Sequence, residues 1–480
     1  MGRMKNNVAD GGNKYSVLFV TTVAPLLTAF MVSSLNVAIP SIVNEFSISI
    51  VAQNWIPMAN LLPSTALLVP LGKLADIYGG KRIFTAGVVL YTFSCLLLAF
   101  STSWLQLVGF RVLQGVSAAM ILATVLAIIT VTFPPEERGK ALGVNVAAIY
   151  VGFSLGPLLG GILTQQFGWR TVFWFNVPFG IITGILSFSK LENSQFKDVS
   201  EKFDAKGSVV YCAALIALTF GFSNVYEFCG LITFVLGFIF LLIFVLWEKR
   251  IDNPILDIKL FRSNVLFALS NLAALINYGA FFTVSYLISL YLQYVGRFTP
   301  QDAGFVLIAQ PIVQVAFSPL AGWLSDKFEP RSVTSLGMAL TTAGLFLLVN
   351  LSEDVFVEYI LFCLVLLGLG FSLFASPNAN ATMSSVDKEF YGVASATLAT
   401  MRSVGSNFSV GIVKLIFALL IGDVQIKPGA VPTSLFMNSL KVAFTVFTLL
   451  CAAGVFVSAA RGNVHDKDKV YEKISQRKFC

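Results

Sequence analysis

Residues 72–87 read GKLADIYGGKRIFTAG, and residues 322–337 read GWLSDKFEPRSVTSLG. Glycine, leucine, aspartate and a final glycine coincide at an offset of 250 residues. Each segment joins two long apolar stretches, so each is predicted to connect two membrane spans on the same side. Sequence repeats in one orientation indicate two structurally similar halves. The stretch at 72–87 therefore predicts a duplicated membrane protein.

The composition agrees with this prediction. Of the 480 residues only 12% are charged, and the mean hydropathy is +0.81. So few charges exclude a soluble enzyme, a disordered chain and a disulfide scaffold. The six cysteines have no metal-site spacing and the one histidine, His465, lies in the polar C-terminal stretch. We therefore expect no metal, no cofactor and no enzymatic activity. The net charge of +7 arises in short loops and does not indicate nucleic-acid binding.

A count of apolar stretches of about 20 residues predicts fourteen helical spans. With both termini on one side, 25 of the 32 basic residues fall on that side and 4 on the other. The positive-inside rule therefore predicts cytoplasmic termini in a plasma membrane. The predicted spans are 15–40, 51–72, 83–101, 104–132, 140–166, 171–189, 207–225, 228–247, 264–295, 303–325, 332–351, 357–384, 391–421 and 439–460.

The repeat also predicts the domain organisation. Span two precedes the first copy and span ten precedes the second, so two extra spans must separate two six-helix halves. Charged stretches bracket spans seven and eight, which identifies them as the extra pair. We predict an N-terminal six-helix bundle at 1–190, a central two-helix insertion with its linkers at 191–262, and a C-terminal six-helix bundle with a short tail at 263–480.

Four further segments carry a family resemblance. They read FMVSSLNVAIP at 30–40, LVGFRVLQGVSAAM at 107–120, GFSLGPLLGG at 152–161 and GVASATLATMRSVGSNFSVG at 392–411. Together with the loop at 72–87, which departs from the usual pattern at Ile77 and Gly80, they resemble the fourteen-helix drug:proton antiporters of the major facilitator superfamily. The resemblance implies an all-α fold of two six-helix bundles plus two central helices. It also implies secondary active export of small amphipathic organic compounds.

The resemblance implies a gating role for the two loop segments. Asp76 would act as a latch that holds one face of the transporter closed. A carboxylate there can face helix N-termini or basic groups of the other bundle. An ordinary solvated loop acid is the alternative. The residues assigned to this gate are Gly72, Asp76, Gly79, Lys81, Arg82, Gly322, Asp326 and Arg331.

Charges within predicted spans are costly and usually face the bundle interior. The resemblance implies proton coupling or substrate polarisation for Arg111, with Gln114 one turn later on the same face. A structural arginine satisfied by carbonyl groups is the alternative. Arg402 in span thirteen also matches the family. Lys414, twelve residues further on, lies too far away to share one site with Arg402.

Span five carries the antiporter motif, in which small residues at four-residue spacing form a groove for close packing. The resemblance implies a hinge and seal that favours exchange over leak, and Pro157 permits a bend. Simple tight packing is the alternative. The residues concerned are Gly152, Gly156, Pro157, Gly160 and Gly161.

The proton carrier is unassigned by the sequence. Related antiporters usually carry an aspartate in span one, where this chain has Met31. The remaining candidates are Glu45, near an outer end, and Asp76. The same lack of buried acids argues against strongly cationic substrates.

Aromatic and amide side chains suit a cavity for amphipathic molecules. The expected partners are a small-molecule substrate, the lipid bilayer and protons, with a monomeric protein and no nucleic acid. An exporter of an anionic metabolite without proton coupling is the first alternative, and a membrane sensor that has lost transport is a remote one. The predicted cavity residues are Trp55, Asn60, Tyr150, Asn176, Tyr278, Gln310 and Asn378.

Overall fold

The computed structural model describes residues 11–47, 53, 55–191, 202–354, 356–422 and 432–462. In these ranges thirteen helices are long and apolar enough to cross a membrane, and a fourteenth span consists of two helices bent by 46°. The prediction of fourteen spans in an all-α fold is confirmed. The spans comprise, in order, Gly11–Phe46, Trp55–Ala66 with Leu68–Tyr78, Gly80–Ala99, Trp104–Thr132, Pro135–Phe167, Arg170–Lys190, Ala205–Ser223, Phe228–Glu248, Val265–Tyr294, Pro300–Leu307 with Ala309–Lys327, Pro330–Val349, Val357–Ser384, Tyr391–Leu420 and Thr433–Ala460.

Several helices begin where a polar side chain satisfies a free backbone N–H group. Ser103 accepts a hydrogen bond from the backbone N–H of Gln106, at the start of span four. Asn264 does the same for Phe267 at the start of span nine. Such caps fix the ends of helices whose middles are uniformly apolar. The helices also extend beyond the apolar stretches, so that span fourteen begins at Thr433 and not near residue 439.

Span two is bent and longer than predicted. Its break lies at Leu67, close to Pro70, which lacks the N–H group that would bond to the carbonyl of Ala66. The helix then continues to Tyr78 and carries Asp76 on its last turn. It ends at Gly79, whose φ of 99° suits glycine. Asp76 therefore lies on a rigid helix end and not in a loop.

The two halves meet mainly along spans two, four, five, ten and thirteen. Within the N-terminal half span five packs against span one, and within the C-terminal half span thirteen packs against span nine. Between the halves span five packs against span ten, and span thirteen packs against spans two and four. A site between the halves would lie among these spans and span nine, which packs beside span thirteen.

The central pair lies along the boundary between the halves. Span seven touches span two, where Cys212 Sγ donates to the carbonyl of Ala66 at 3.3 Å. It also touches span thirteen, where the rings of Phe222 and Phe408 are 4.7 Å apart. Span eight has a mean hydropathy of 3.0 and is mostly exposed, as expected of a helix that faces lipid. The residue boundaries predicted for the three domains remain predictions.

Candidate gate and central site

Asp76 bonds the start of a helix in the opposite half. Its Oδ1 accepts from the backbone N–H of Gly392 at 2.6 Å, and its Oδ2 accepts from Val393 at 2.9 Å. Both N–H groups belong to the first turn of span thirteen, which begins at Tyr391. The N-terminus of a helix carries partial positive charge and unpaired donors, so it is a favourable partner for a carboxylate. Asp76 therefore joins the two halves at the membrane face on which it lies, which we call the Asp76 side.

Asp326, the equivalent residue of the repeat, makes the matching contact in reverse. Its Oδ1 accepts from the backbone N–H of Gly139 at 2.6 Å, and its Oδ2 accepts from Lys140 at 2.9 Å. Asn380 adds a longer bond of 3.4 Å to the same carboxylate. Each half thus presents one carboxylate to the first turns of a helix in the other half.

Glycines bring the backbones of the halves into contact beside both carboxylates. A β-carbon on Gly72 would lie 2.6 Å from the carbonyl oxygen of Gly392. A β-carbon on Gly322 would collide with the carbonyl of Gly139. Such close approach is available only to glycine. The Asp76 side is therefore closed in this structure.

The basic residues assigned to the gate lie elsewhere. Lys81 places its ammonium 5.9 Å from the ring centre of Phe188 in span six. Arg82 is exposed, and Arg331 lies near Arg461. Helix N-termini, the other partner that the sequence allowed, are what the two carboxylates contact.

Arg111 is buried within the N-terminal half. Its Nε donates to the carbonyl of Ile56 at 3.1 Å, and a terminal nitrogen donates to Gln114 Oε1. Gln114 in turn donates to Cys95 Sγ at 3.2 Å. Arg111 and Gln114 together therefore link spans two, three and four. The contacts of Arg111 match the alternative of a structural arginine satisfied by the protein, and they do not place it between the halves.

The glycines of span five form a groove for span one. β-Carbons on Gly152 and Gly156 would lie 2.5 Å from the Leu26 carbonyl and from Ser33 Cβ. Gly161 is different, since a β-carbon there would meet Val37 at an ordinary 3.8 Å. Gly160 packs tightly against Ser34, whereas Pro157 is exposed. The motif therefore lets spans one and five pack closely within the N-terminal half.

Three predicted residues come together between the halves. Tyr150 of span five meets Tyr278 of span nine, and their hydroxyl groups interact. The guanidinium carbon of Arg402 lies 5.0 Å from the ring centre of Tyr278. Phe281 packs against Tyr150 with ring centres 5.8 Å apart. We call Tyr150, Tyr278, Phe281 and Arg402 the central cluster.

The central cluster lies deep in the membrane. Arg402 is ten residues from Gly392 along span thirteen, which corresponds to about 15 Å. Tyr150 is eleven residues from Gly139 along span five, a similar depth. The cluster therefore lies near the middle of a hydrocarbon core about 30 Å thick.

Two glutamines of span ten lie at the same level. Gly139 faces Gly322 and Gly143 faces Ser318, so spans five and ten run antiparallel in a fixed register. Extending that register places Gln314 and Gln310 on either side of the level of Tyr150. Both side chains are at most 1% exposed. Among the described residues, Gln310 Nε2 and both polar atoms of Gln314 have no hydrogen-bond partner.

Four predicted cavity residues lie outside this level or use their polar groups locally. Trp55 is 41% exposed and stacks on Phe220 of span seven. Asn60 is buried where its carbonyl packs against Gly115, and Asn176 donates to Val172 of its own helix. Asn378 accepts from Arg461 at 2.7 Å and donates to the Ser270 carbonyl at 3.1 Å. Asn378 is thus part of a polar cluster within the C-terminal half.

Arg461, which the sequence analysis did not single out, is buried at the end of span fourteen. It is 2% exposed and also donates to the carbonyl of Pro330 at 3.1 Å. Burial, with the nearby Arg331 cation, lowers the pKa of its guanidinium to about 9, so it stays protonated at neutral pH. The cationic pattern of the tail hid this role, because a buried arginine and a solvated one look alike in sequence. The tail itself, from residue 463, lies outside the described residues.

Two glutamates bear on the question of the proton carrier. Glu45 pairs with Arg170 at 2.7 Å and accepts from Trp169 Nε1 at 2.7 Å, so it ties helix ends together. Glu248, which the sequence analysis passed over, is 4% exposed at the end of span eight. Its Oε1 has no hydrogen-bond partner in the described part of the chain. The Asp204 carboxylate and the Lys73 cation are the charged groups that act on it.

Sequence comparison places these features in a known family. The profile described as Major Facilitator Superfamily matches residues 21–410 and 270–473. The riboflavin transporter RibZ of Clostridioides difficile is 31% identical over 83% of this chain and 86% of its own length. The tetracenomycin C resistance and export protein of Streptomyces glaucescens is 27% identical over 86% of this chain and 78% of its own. The puromycin resistance protein pur8 of Streptomyces alboniger is 27% identical over 91% of this chain and 89% of its own length.

A solved structure shares the fold. The crystal structure of the human organic anion transporter MFSD10 superposes with a TM-score of 0.66, covering 93% of this chain and 99% of that chain at 15% identity. The chain belongs to the Major Facilitator Superfamily. It is a multi-pass membrane transporter and not an enzyme, and its relatives include antibiotic resistance proteins.

Proposed function

We propose that this protein exports small amphipathic organic compounds across the plasma membrane by alternating access, in exchange for protons. The central cluster is the observation that carries this proposal. It combines aromatic rings with a few polar groups at mid-membrane depth, between two halves that move relative to each other in this fold. The relatives that confer resistance to tetracenomycin C and puromycin support export of such compounds.

The gate gives alternating access a physical basis. Opening the Asp76 side would break the four strong carboxylate–backbone bonds of Asp76 and Asp326. Charge-assisted bonds of this kind are worth about 1.5–3 kcal/mol each when desolvated. Binding of substrate between the halves must therefore compensate for these contacts before the Asp76 side opens. In this role the two aspartates are a paired latch.

Proton exchange needs a group that binds and releases a proton during the cycle, and a carboxyl group is a common choice. Glu45 is held in an ion pair and Met31 occupies the position of the usual span-one acid. Glu248 is buried beside Asp204, with one oxygen unpaired among the described residues. Burial and a like-charged neighbour favour the neutral carboxyl. Glu248 is therefore our candidate for the coupling group, and Lys73 of span two is one of the charged groups that act on it.

The proposal also includes the orientation of the protein in the membrane and its oligomeric state. The charge bias of the loops supports cytoplasmic termini, which would make the Asp76 side cytoplasmic. The site lies within one chain, so a monomer is sufficient for transport.

The test uses purified protein in liposomes that contain a pH-sensitive dye. A proton gradient is imposed, and matched neutral, anionic and cationic amphipaths are added. Proton movement that depends on one class of compound would support antiport. Solute flux without proton movement would contradict the coupling, and absence of any flux would contradict the proposed function.

A further inference from the structure

The proposed function leaves the charge of the substrate open, and one residue bears on it. We propose that Arg402 is the anchor for an anionic or carbonyl-rich edge of an aromatic substrate, so that the carrier prefers aromatic carboxylates and carbonyl compounds over cations. This inference rests on the proposed function, because it concerns the same central site.

The first argument is the hydrogen bonding of Arg402. Its Nε and one terminal nitrogen, Nη2, are buried, and neither has a hydrogen-bond partner among the residues that the structure describes. Buried donors without acceptors cost about 1–3 kcal/mol each, and more when they are charged. An acceptor placed there by a ligand would recover that cost. Intramembrane charges are commonly functional, and Arg402 has two such donors on adjacent nitrogens of one guanidinium.

The second argument is the way Arg402 is held. The ring of Tyr278 stabilises its charge through a cation–π contact at 5.0 Å. That contact does not occupy the N–H groups. No described carboxylate forms an ion pair with Arg402, in contrast to Arg170, which is paired with Glu45. The guanidinium is therefore fixed in place with two donors available, a geometry that suits a carboxylate or two adjacent carbonyl oxygens.

The third argument is the set of unpaired amide groups at this level. Among the described residues, the buried atoms without a hydrogen-bond partner include the amide nitrogens of Gln310 and Gln314, and also the acceptors Gln314 Oε1 and Asn277 Oδ1. A cationic ligand would meet the Arg402 cation and leave its two donors unpaired. An aromatic ligand with acceptors would pair with the donors while its ring packs against Tyr150 and Phe281.

The experiment compares three probes with one ring system. We would measure binding of 2-naphthoate, 2-naphthamide and 2-naphthylmethylammonium to the purified protein by ligand-induced thermal stabilisation. We expect naphthoate to bind most tightly, naphthamide less tightly and the ammonium compound most weakly. Arg402→Gln should weaken naphthoate binding by about 30-fold or more, since a buried charged partner is removed. Arg402→Lys should lose part of the affinity, because lysine keeps the positive charge but lacks the two adjacent N–H donors of the guanidinium.

A matched control distinguishes a direct contact with Arg402 from the effect of positive charge elsewhere on the same helix. Lys414 is a cation on the same helix, exposed and twelve residues away, so Lys414→Gln should leave all three affinities unchanged. Equal binding of the ammonium probe, or unchanged naphthoate binding by a folded Arg402→Gln protein, would overturn the inference. So would failure of naphthoate to bind the wild type at millimolar concentration. Flux of cationic amphipaths in liposomes would then show that the proposed function stands without this substrate class.

Discussion

Asp76 and Asp326 lie 250 residues apart and make the same contact in opposite directions. Each carboxylate accepts two bonds, of 2.6 and 2.9 Å, from consecutive backbone N–H groups near the start of a helix in the other half. The contact between the halves is therefore doubled, and the internal repeat of the sequence is also a repeat of this contact geometry.

Neutralising either aspartate is expected to loosen the Asp76 side. Asp76→Asn and Asp326→Asn keep the shape but replace a charged acceptor by a neutral amide, at a cost of about 1–3 kcal/mol. Amide hydrogen exchange around residues 391–394 should accelerate in Asp76→Asn, and around residues 138–141 in Asp326→Asn. Asp252→Asn, a change at an exposed site, is the control. Unchanged exchange in both variants would rule out the paired latch.

Adding one methyl group at the interface is expected to block closure. In Gly322→Ala the β-carbon collides with the Gly139 carbonyl, so the halves must separate. Gly109→Ala is a matched control, because nothing lies within 4 Å of the added carbon. Transport should fall at least about tenfold in the first variant and stay normal in the second. Normal transport by Gly322→Ala would show that this contact does not form in the cycle.

The groove between spans one and five gives a stability prediction. Gly156→Ala places a carbon 2.5 Å from Ser33 Cβ and should destabilise the protein by about 1–3 kcal/mol. Gly161→Ala meets Val37 at 3.8 Å and should have little effect. Thermal unfolding in detergent measures both. Equal melting temperatures for the two variants would contradict tight packing at Gly156.

Removal of Arg461 is expected to destabilise the C-terminal half. Arg461→Ala leaves Asn378 Oδ1 and the Pro330 carbonyl without this donor, a loss of about 2–5 kcal/mol for a buried charged group. Arg82→Ala removes an exposed arginine and should change stability by less than about 0.5 kcal/mol. A solvated Arg461 would give equally small effects in both variants.

Glu248→Gln tests the proposed coupling group. The variant cannot exchange a proton at this site, so proton-driven transport should fall by about tenfold or more. Exchange of labelled for unlabelled substrate without a pH gradient should persist, because it needs no net proton movement. Glu45→Gln should retain both activities if Glu45 only ties helix ends together. Proton-driven transport at the normal rate by Glu248→Gln would assign the proton to another group.

The fold was largely predictable from the sequence. Spans in lipid must be apolar and must satisfy their own backbone, so hydropathy and loop charge determine their number. The gate aspartates and the glycines of span five were also visible, because a repeat and a four-residue spacing are patterns along the chain. The bend at Leu67 was missed, since prolines in a span do not specify where it breaks.

The roles of single polar residues were decided by the tertiary structure. Arg111, Arg402 and Arg461 lie within or at the end of apolar stretches, yet their surroundings differ. One is satisfied inside the N-terminal half, one has donors between the halves without a partner among the described residues, and one joins helices of the C-terminal half. The two glutamates also differ, since Glu45 forms an ion pair with Arg170 and Glu248 is buried at the end of span eight. The sequence by itself determined the spans, because lipid requires each of them to be apolar and to satisfy its own backbone. It also showed the repeat and the family resemblance, because both are motifs along the chain. Which charges are paired depends on contacts between residues hundreds of positions apart, and only the packed helices determine those.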